Sequence, residues 1–430
     1  MTTSVPPSSK PTPPPSSRWL KIFGSSVIDQ AVLSAANFIV GLILIRYASD
    51  GEYGYYILVF NAIMLLTMLQ NSFIGTPYVI KLPELAEAER KQWVGSLLRD
   101  QNRWTAYGAS LALATTALLW ATGLLPANLA WLALAALAAI TASLYREFFR
   151  NTLLIYQRPK TVLYADMLYV VGIMLGCAIA VQFPIAAIIA ILATALSALA
   201  GAHVLRRQMR ALFDPDAPPG KLAAIAPIGL WAASGAGVYW LFNQGYSFVT
   251  AFTLDISAVG ALAAARLLMM PANLICSGIQ KQLTPLSSQW IHDKGADHTL
   301  HRLWLIALIL GGGVLLYSAL TWLARDWIFL DLMRTDHPQR DAFVILWAAI
   351  FFVKALRDPP MLLLVLRQRF RILTFSSSLC AVLSLLLCYF LTLEFGAVGA
   401  LWGILAGETL SLLAVLVFSW KEARTRPTPA

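Results

Sequence analysis

The stretch Leu33–Ile80, LSAANFIVGLILIRYASDGEYGYYILVFNAIMLLTMLQNSFIGTPYVI, decides the fold class. It holds most of one apolar run (24–45) and the whole of a second (54–79), separated by the polar corner Arg46-Tyr47-Ala48-Ser49-Asp50-Gly51-Glu52-Tyr53. At about 1.5 Å per residue, either run spans the roughly 30 Å of bilayer hydrocarbon. A corner so short sends the chain straight back, so the two runs read as an antiparallel membrane hairpin. Polar residues dot both runs (Asn37, Asn61, Gln70, Asn71). In hydrocarbon such groups need a partner helix or a wet cavity.

Outward from this hairpin the pattern recurs. Further apolar segments are predicted at 105–124, 128–150, 162–182, 184–204, 223–250, 257–279, 303–324, 342–366, 372–392 and 396–419, which makes twelve. The composition agrees: 58% of the 430 residues are hydrophobic and 13% charged, with mean hydropathy +0.67. Soluble domains carry about 25% charged residues. A soluble enzyme, a disordered scaffold and a secreted disulfide protein are excluded, and an all-α polytopic membrane protein is expected. The four cysteines (Cys177, Cys276, Cys380, Cys388) all fall in apolar runs at no metal or redox spacing. The opening MTTSVPPSSKPTPPPSS reads as a disordered tail and not as a signal peptide.

The basic residues orient the segments. Of 32 Lys and Arg, 25 fall on the side that holds both termini, 4 on the other side and 3 (Arg266, Lys354, Arg357) inside spans. By the positive-inside rule both termini are cytoplasmic, in a cell (inner) membrane. The net charge of +10 therefore reflects cytoplasmic loops, and nucleic acid is not an expected partner. The outer connections are tight except for 325–340, and no GxxxxGK[ST] phosphate loop occurs. The segment 81–104, with Trp93 and Trp104, reads as an amphipathic helix on the inner leaflet. Pro359-Pro360 is expected to break its helix.

The chain halves near Asp214-Pro215-Asp216-Ala217-Pro218-Pro219. Asn37 matches Asn243 and Gly54 matches Gly260, both 206 positions on; Arg150 matches Arg357 at 207. The expected organisation is a tail (1–22), a six-helix bundle (23–213), a linker (214–222), a second six-helix bundle (223–420) and a tail (421–430). The repeats are parallel and flank a central cleft, as in transporters that rock about one. The first, second, seventh and eighth segments should wall it, because they hold Asp29, Asn37, Asn61, Gln70, Asn71, Asn243, Gln244, Arg266 and Asn273.

The quoted stretch resembles the first two helices of Wzx-type oligosaccharide-lipid flippases of the MOP (MATE-like) superfamily. The corner Arg46 to Gly54 is the most recognisable element, echoed by Leu254 to Gly260; Tyr145 to Arg150 with Gln157 to Lys160, and Lys354 to Arg371, also look familial. The resemblance implies alternating-access movement of a polyprenyl-diphosphate-linked oligosaccharide to the outer leaflet, for exopolysaccharide or O-antigen export, through a cationic cavity. The partners it implies are that lipid-linked substrate, membrane lipids and a polysaccharide polymerase/export complex.

A diphosphate headgroup crossing the bilayer needs cations facing it. Arg266 is the first candidate, because an arginine near mid-membrane is costly unless it meets a cavity or an ion partner. Lys354 and Arg357 share a helix face, with Asp358 beside them; Arg146 and Arg150 are their counterparts in the first half. Asn37 and Asn243 are expected to bond across helices or contact sugar hydroxyls. Asp29 and Asp166 are candidates for ion coupling. His292, His298 and His301 with Asp293 and Asp297 match no strong zinc spacing. No cofactor, metal or catalytic set is expected, so the chain reads as a carrier and not an enzyme. The competing functions are a MATE-like multidrug/cation antiporter, which would need acidic residues in its pocket, and a membrane glycan polymerase or acyltransferase.

Overall fold

The computed structural model describes residues 16–82 and 85–424. Most of the expected N-terminal tail, and the last six residues of the expected C-terminal one, lie outside that range. The described residues contain no strand. They form α1 (Ser16–Tyr47), α2 (Asp50–Gln70), a π-helical turn (Asn71–Gly75), α3 (Thr76–Lys81), α4 (Glu87–Ala121), α5 (Ala127–Ile155), α6 (Pro159–Ala180), α7 (Ala186–Met209), α8 (Lys221–Thr253), α9 (Ile256–Leu323), a second π-helical turn (Trp327–Met333), α10 (Arg340–Leu366), α11 (Phe370–Phe395) and α12 (Ala397–Arg424). Nine of these helical stretches among the described residues are long and apolar enough to cross a membrane, α2 being continuous with α3. α9 is long enough for two crossings, and α4 and α10 also match predicted spans although charged residues lower their hydropathy. The described residues thus form an all-α, multi-pass membrane protein with about twelve traverses.

Three expectations are corrected. The stretch 281–302 between two predicted spans is not an extended loop: it is helical on both sides of a break at Gly295, whose φ of 80° suits a residue without Cβ. The segment 81–104 is not a separate surface helix, since from Glu87 it is the first part of α4, with Trp93 buried and Trp104 exposed. Pro359-Pro360 does not break α10. Both prolines are buried, and the packing of α10 on α9 and α12 holds the helix across the two hydrogen bonds they cannot donate.

The helices pack in two groups. In the first, α5 and α6 pack on α7, α1 on α6 and α4 on α5; in the second, α9 and α12 pack on α10, α12 on α11 and α8 on α11. Small side chains let the backbones approach, as at Ala135, Ala139, Ala142, Ala187, Ala190 and Ala195 in the shared core. The connection between the groups is pinned to α4: Asp214 N–H donates to the Lys91 carbonyl (3.0 Å), and the Asp100 carboxylate accepts from Gly220 and Leu222 N–H (2.8 and 2.9 Å).

The groups meet where α2 packs against α8 and α9. At the end remote from the termini the contact is symmetric. A Cβ on Gly54 would lie 2.1 Å from the Ile256 carbonyl oxygen, and one on Gly260 would lie 2.3 Å from that of Asp50. Positions 256 and 260 follow 50 and 54 by 206, the offset of the sequence repeat. The caps obey the same offset: Ser49 Oγ accepts from Glu52 N–H (3.2 Å) at the start of α2, and Asp255 from Ala258 N–H (2.7 Å) at the start of α9. Nearby, Arg46 donates to the Asp331 and Leu332 carbonyls (3.1 and 2.7 Å), tying α1 to the second π-helical turn.

Candidate functional site

Below this glycine crossing, α1, α2, α8 and α9 enclose a chamber of about 1010 Å³. α1 touches α9 near the top, where Gly41 faces Leu267. Farther down, α1 from Gln30 to Phe38 and α9 from Met270 to Gln282 form opposite walls of the chamber. The polar lining consists of amides, hydroxyls and two cations, Arg266 and Lys281. No aspartate or glutamate is among the described residues that border it.

Arg266 lies about ten residues into α9, roughly 15 Å below the helix start and so near mid-bilayer. Its Nη1 donates to Gln244 Oε1 and to the Tyr246 hydroxyl (3.3 Å). Its guanidinium carbon lies 5.2 Å from the Trp347 ring centre and 5.7 Å from that of Tyr246. Trp347 is held by its indole N–H on the Leu262 carbonyl (3.0 Å). Aromatic faces stabilise a cation without neutralising it. Nε of Arg266 is buried and has no hydrogen-bond partner. The result is a full positive charge, fixed by neutral groups, at the wall of a chamber.

The other basic residues inside the spans are arranged differently. In the first bundle Arg150 donates to Asp29 (2.6 Å) and Asp166 (2.8 Å) and lies 3.4 Å from Glu147, while Arg146 pairs with Asp166 and lies over the Tyr169 ring. Asn71, in the first π-helical turn, donates to Glu147 (3.1 Å). In the second bundle Arg357 pairs with Glu408 and Asp358. Lys354 Nζ donates to Asn243 Oδ1 (2.8 Å).

Arg266 and Asn37 border the chamber; Arg146, Arg150, Lys354, Arg357 and Asn243 do not. The reason those five lie away from this chamber is local. Buried carboxylates, or for Lys354 an amide, draw the basic side chains into their own bundle, where an unpaired charge would be costly. Asp29 and Asp166 are the acids of the first such network, and Asp29 Oδ1 is buried with no partner. Asn243 does bond between helices, as expected, whereas Asn37 has no such bond. One wall residue, Lys281, escaped the sequence reading because it lies just beyond the predicted end of its span. Gln244 is expected at the wall, but nothing in the sequence links it to Arg266. The histidine stretch shows only a His292–Asp293 contact, and no group of three or more metal-ligating side chains occurs among the described residues.

No family model matches the sequence, and no curated protein matches it. Solved structures do. The lipid II flippase MurJ in an inward closed conformation superposes with a TM-score of 0.71 at 12% identity, over 94% of this chain and 87% of that one. An inward-facing multidrug resistance MATE family transporter of the MOP superfamily gives 0.69 at 11% identity, over 90% and 94%. A MOP superfamily transporter from Pyrococcus furiosus, described by the reverse polarity of its binding pocket, gives 0.64 at 11% identity, over 94% and 95%. The protein has the fold of the MOP-superfamily transporters.

Proposed function

We propose that this protein is an alternating-access flippase that moves a polyprenyl-diphosphate-linked oligosaccharide from the inner to the outer leaflet for polysaccharide export. The observation that carries this reading is Arg266: an unneutralised guanidinium near mid-membrane, on the wall of a chamber bordered by no carboxylate among the described residues. A guanidinium presents a donor fork that matches phosphate oxygens. The amides and hydroxyls around it, including Gln30, Ser34, Asn37 and Asn273, suit sugar hydroxyls. The lipid tail remains in the bilayer beside the chamber while the headgroup is sheltered inside, which avoids exposing a dianion to hydrocarbon.

In this reading the glycine crossing is the closed outer end, the chamber serves the cytoplasmic side, and both termini are cytoplasmic. Lys281, about fifteen residues beyond Arg266 on α9 and so roughly 22 Å nearer the termini, meets the anion first and Arg266 holds it. Rocking of the bundles then opens the crossing. The first-bundle network supports coupling to an ion gradient: the three acids Asp29, Asp166 and Glu147 are paired with two cations, Arg146 and Arg150, and the surplus acid carries a proton or Na⁺. Lys354, Arg357 and Asn243 support the second wall from behind.

A MATE-like cation antiporter has the same fold, but a cationic passenger would meet Arg266 and no acid at the wall. The test is export in a strain dependent on this protein. Arg266→Ala should abolish glycan export with membrane abundance unchanged. Retained export, or a gain of drug resistance conferred by the wild-type chain in an efflux-deficient strain, would reject the proposal.

A further inference from the structure

The consecutive residues Asn243 and Gln244 on α8 each hold a cation through a side-chain carbonyl oxygen, Lys354 and Arg266 respectively. Elsewhere inside the bundles carboxylates do this work, for Arg146, Arg150 and Arg357. A carboxylate would position an arginine more strongly than an amide does. It would also cancel the charge. At the chamber wall the chain uses the weaker, neutral partner.

The two amides differ in what they have left to give. Arginine has no acceptor, so the atom of Gln244 that meets Arg266 must be its oxygen, which leaves the NH₂ group as a donor. Asn243 spends its NH₂ on the Tyr239 carbonyl (2.9 Å); Gln244 has no such bond and borders the chamber. Arg266 in turn keeps a buried, unpartnered Nε. Two adjacent groups therefore carry unused N–H donors and one uncancelled positive charge.

We infer that Gln244 is the specificity-determining partner of Arg266: its neutral amide orients the guanidinium, adds a second N–H donor, and thereby makes the wall a receptor for a phosphate-type anion. This rests on the flippase reading and refines it. A glutamate at 244 would have nearly the same shape and would form an ion pair with Arg266, so the wall would lose its anion site there and repel a cation less, with only the Lys281 charge left uncancelled. The effect is on charge, not on shape.

The test is binding to the purified full-length protein in detergent, with farnesyl diphosphate as the anionic probe and tetraphenylphosphonium as the cationic one. Wild type should bind the diphosphate and discriminate against the cation. Gln244→Glu should weaken the diphosphate at least tenfold and strengthen the cation, a reversal that a merely structural role would not produce. Gln244→Leu, which keeps the Arg266 charge and removes the amide, should weaken the diphosphate about threefold without strengthening the cation; it carries the test if the glutamate variant does not fold. Diphosphate binding that is lost in Arg266→Ala but unchanged in Gln244→Glu, or in Gln244→Leu if only that variant folds, overturns this inference and leaves the flippase reading standing. A wild-type protein that binds no diphosphate overturns both.

Discussion

The two bundles share a repeat but treat buried charge in opposite ways. In the first, Arg146 and Arg150 are locked to Asp29, Asp166 and Glu147, away from the chamber. In the second, Arg357 is locked in the same manner to Glu408 and Asp358, but Arg266 and Lys354 are held by amides. The repeat-related arginines 150 and 357 thus serve the same structural end, and the uncancelled charge has been added on one side only. A buried ion pair gives little net stability against an apolar replacement, yet removal of one partner leaves a stranded charge. Position inside the membrane therefore says little about role; the identity of the partner decides it.

The largest effect should come from the first network. Asp166→Ala strands Arg146 and removes one of the three carboxylates around Arg150, and should cost about 3–5 kcal/mol, read as a loss of folded protein by thermal unfolding in detergent. Arg266→Ala, which strands no carboxylate, should shift the same melting curve little while removing export. Equal destabilisation by the two would erase the distinction between the bundles. In the second bundle Arg357→Ala should cost somewhat less than the Asp166 change, because Lys354 remains near Glu408. The double variant Arg357→Met with Glu408→Met should recover most of the loss, and a double variant as unstable as the single one would show that the pair is not isolated.

Where the bundles touch, they should respond alike. Gly54→Ala and Gly260→Ala each force a Cβ into the opposite backbone, so each should shift the crossing toward a parted state by a similar factor, about tenfold. Spin-label distances across the crossing measure this, and unequal shifts would break the pseudo-symmetry. The smallest effect is expected at Asn37→Ala, which removes no bond between helices and should change export less than twofold. Asn243→Ala frees Lys354 and should exceed it in the same assay.

The fold was largely legible because membrane crossing imposes a length and a composition, both of which a single chain displays. The failures share a cause. The stretches 281–302 and 81–104 read as lying outside spans because they are polar, but helix extends through most of the first, broken at Gly295, and through the second from Glu87, since a helix can leave the apolar layer without ending. Pro359-Pro360 misled because the packing that supports α10 comes from α9 and α12, distant in sequence. For the site, Arg266 stood out as a charge in an apolar run. The partners did not: Asp29 meets Arg150 across 121 positions, and Gln244 meets Arg266 across 22 with no periodic pattern joining them. Charges announce themselves in a sequence; who neutralises them is a three-dimensional fact.

The Gly54–Gly260 crossing carries one more implication. Main chain meets main chain at the two glycines, but the Ile256 side chain packs on Gly54, and Tyr53 and Val259 beside the glycines are buried. Parting the seam would wet that apolar surface, at about 25 cal/mol per Å², and would also release the tether between Arg46 and the second π-helical turn, so the seam behaves as a latch with two catches.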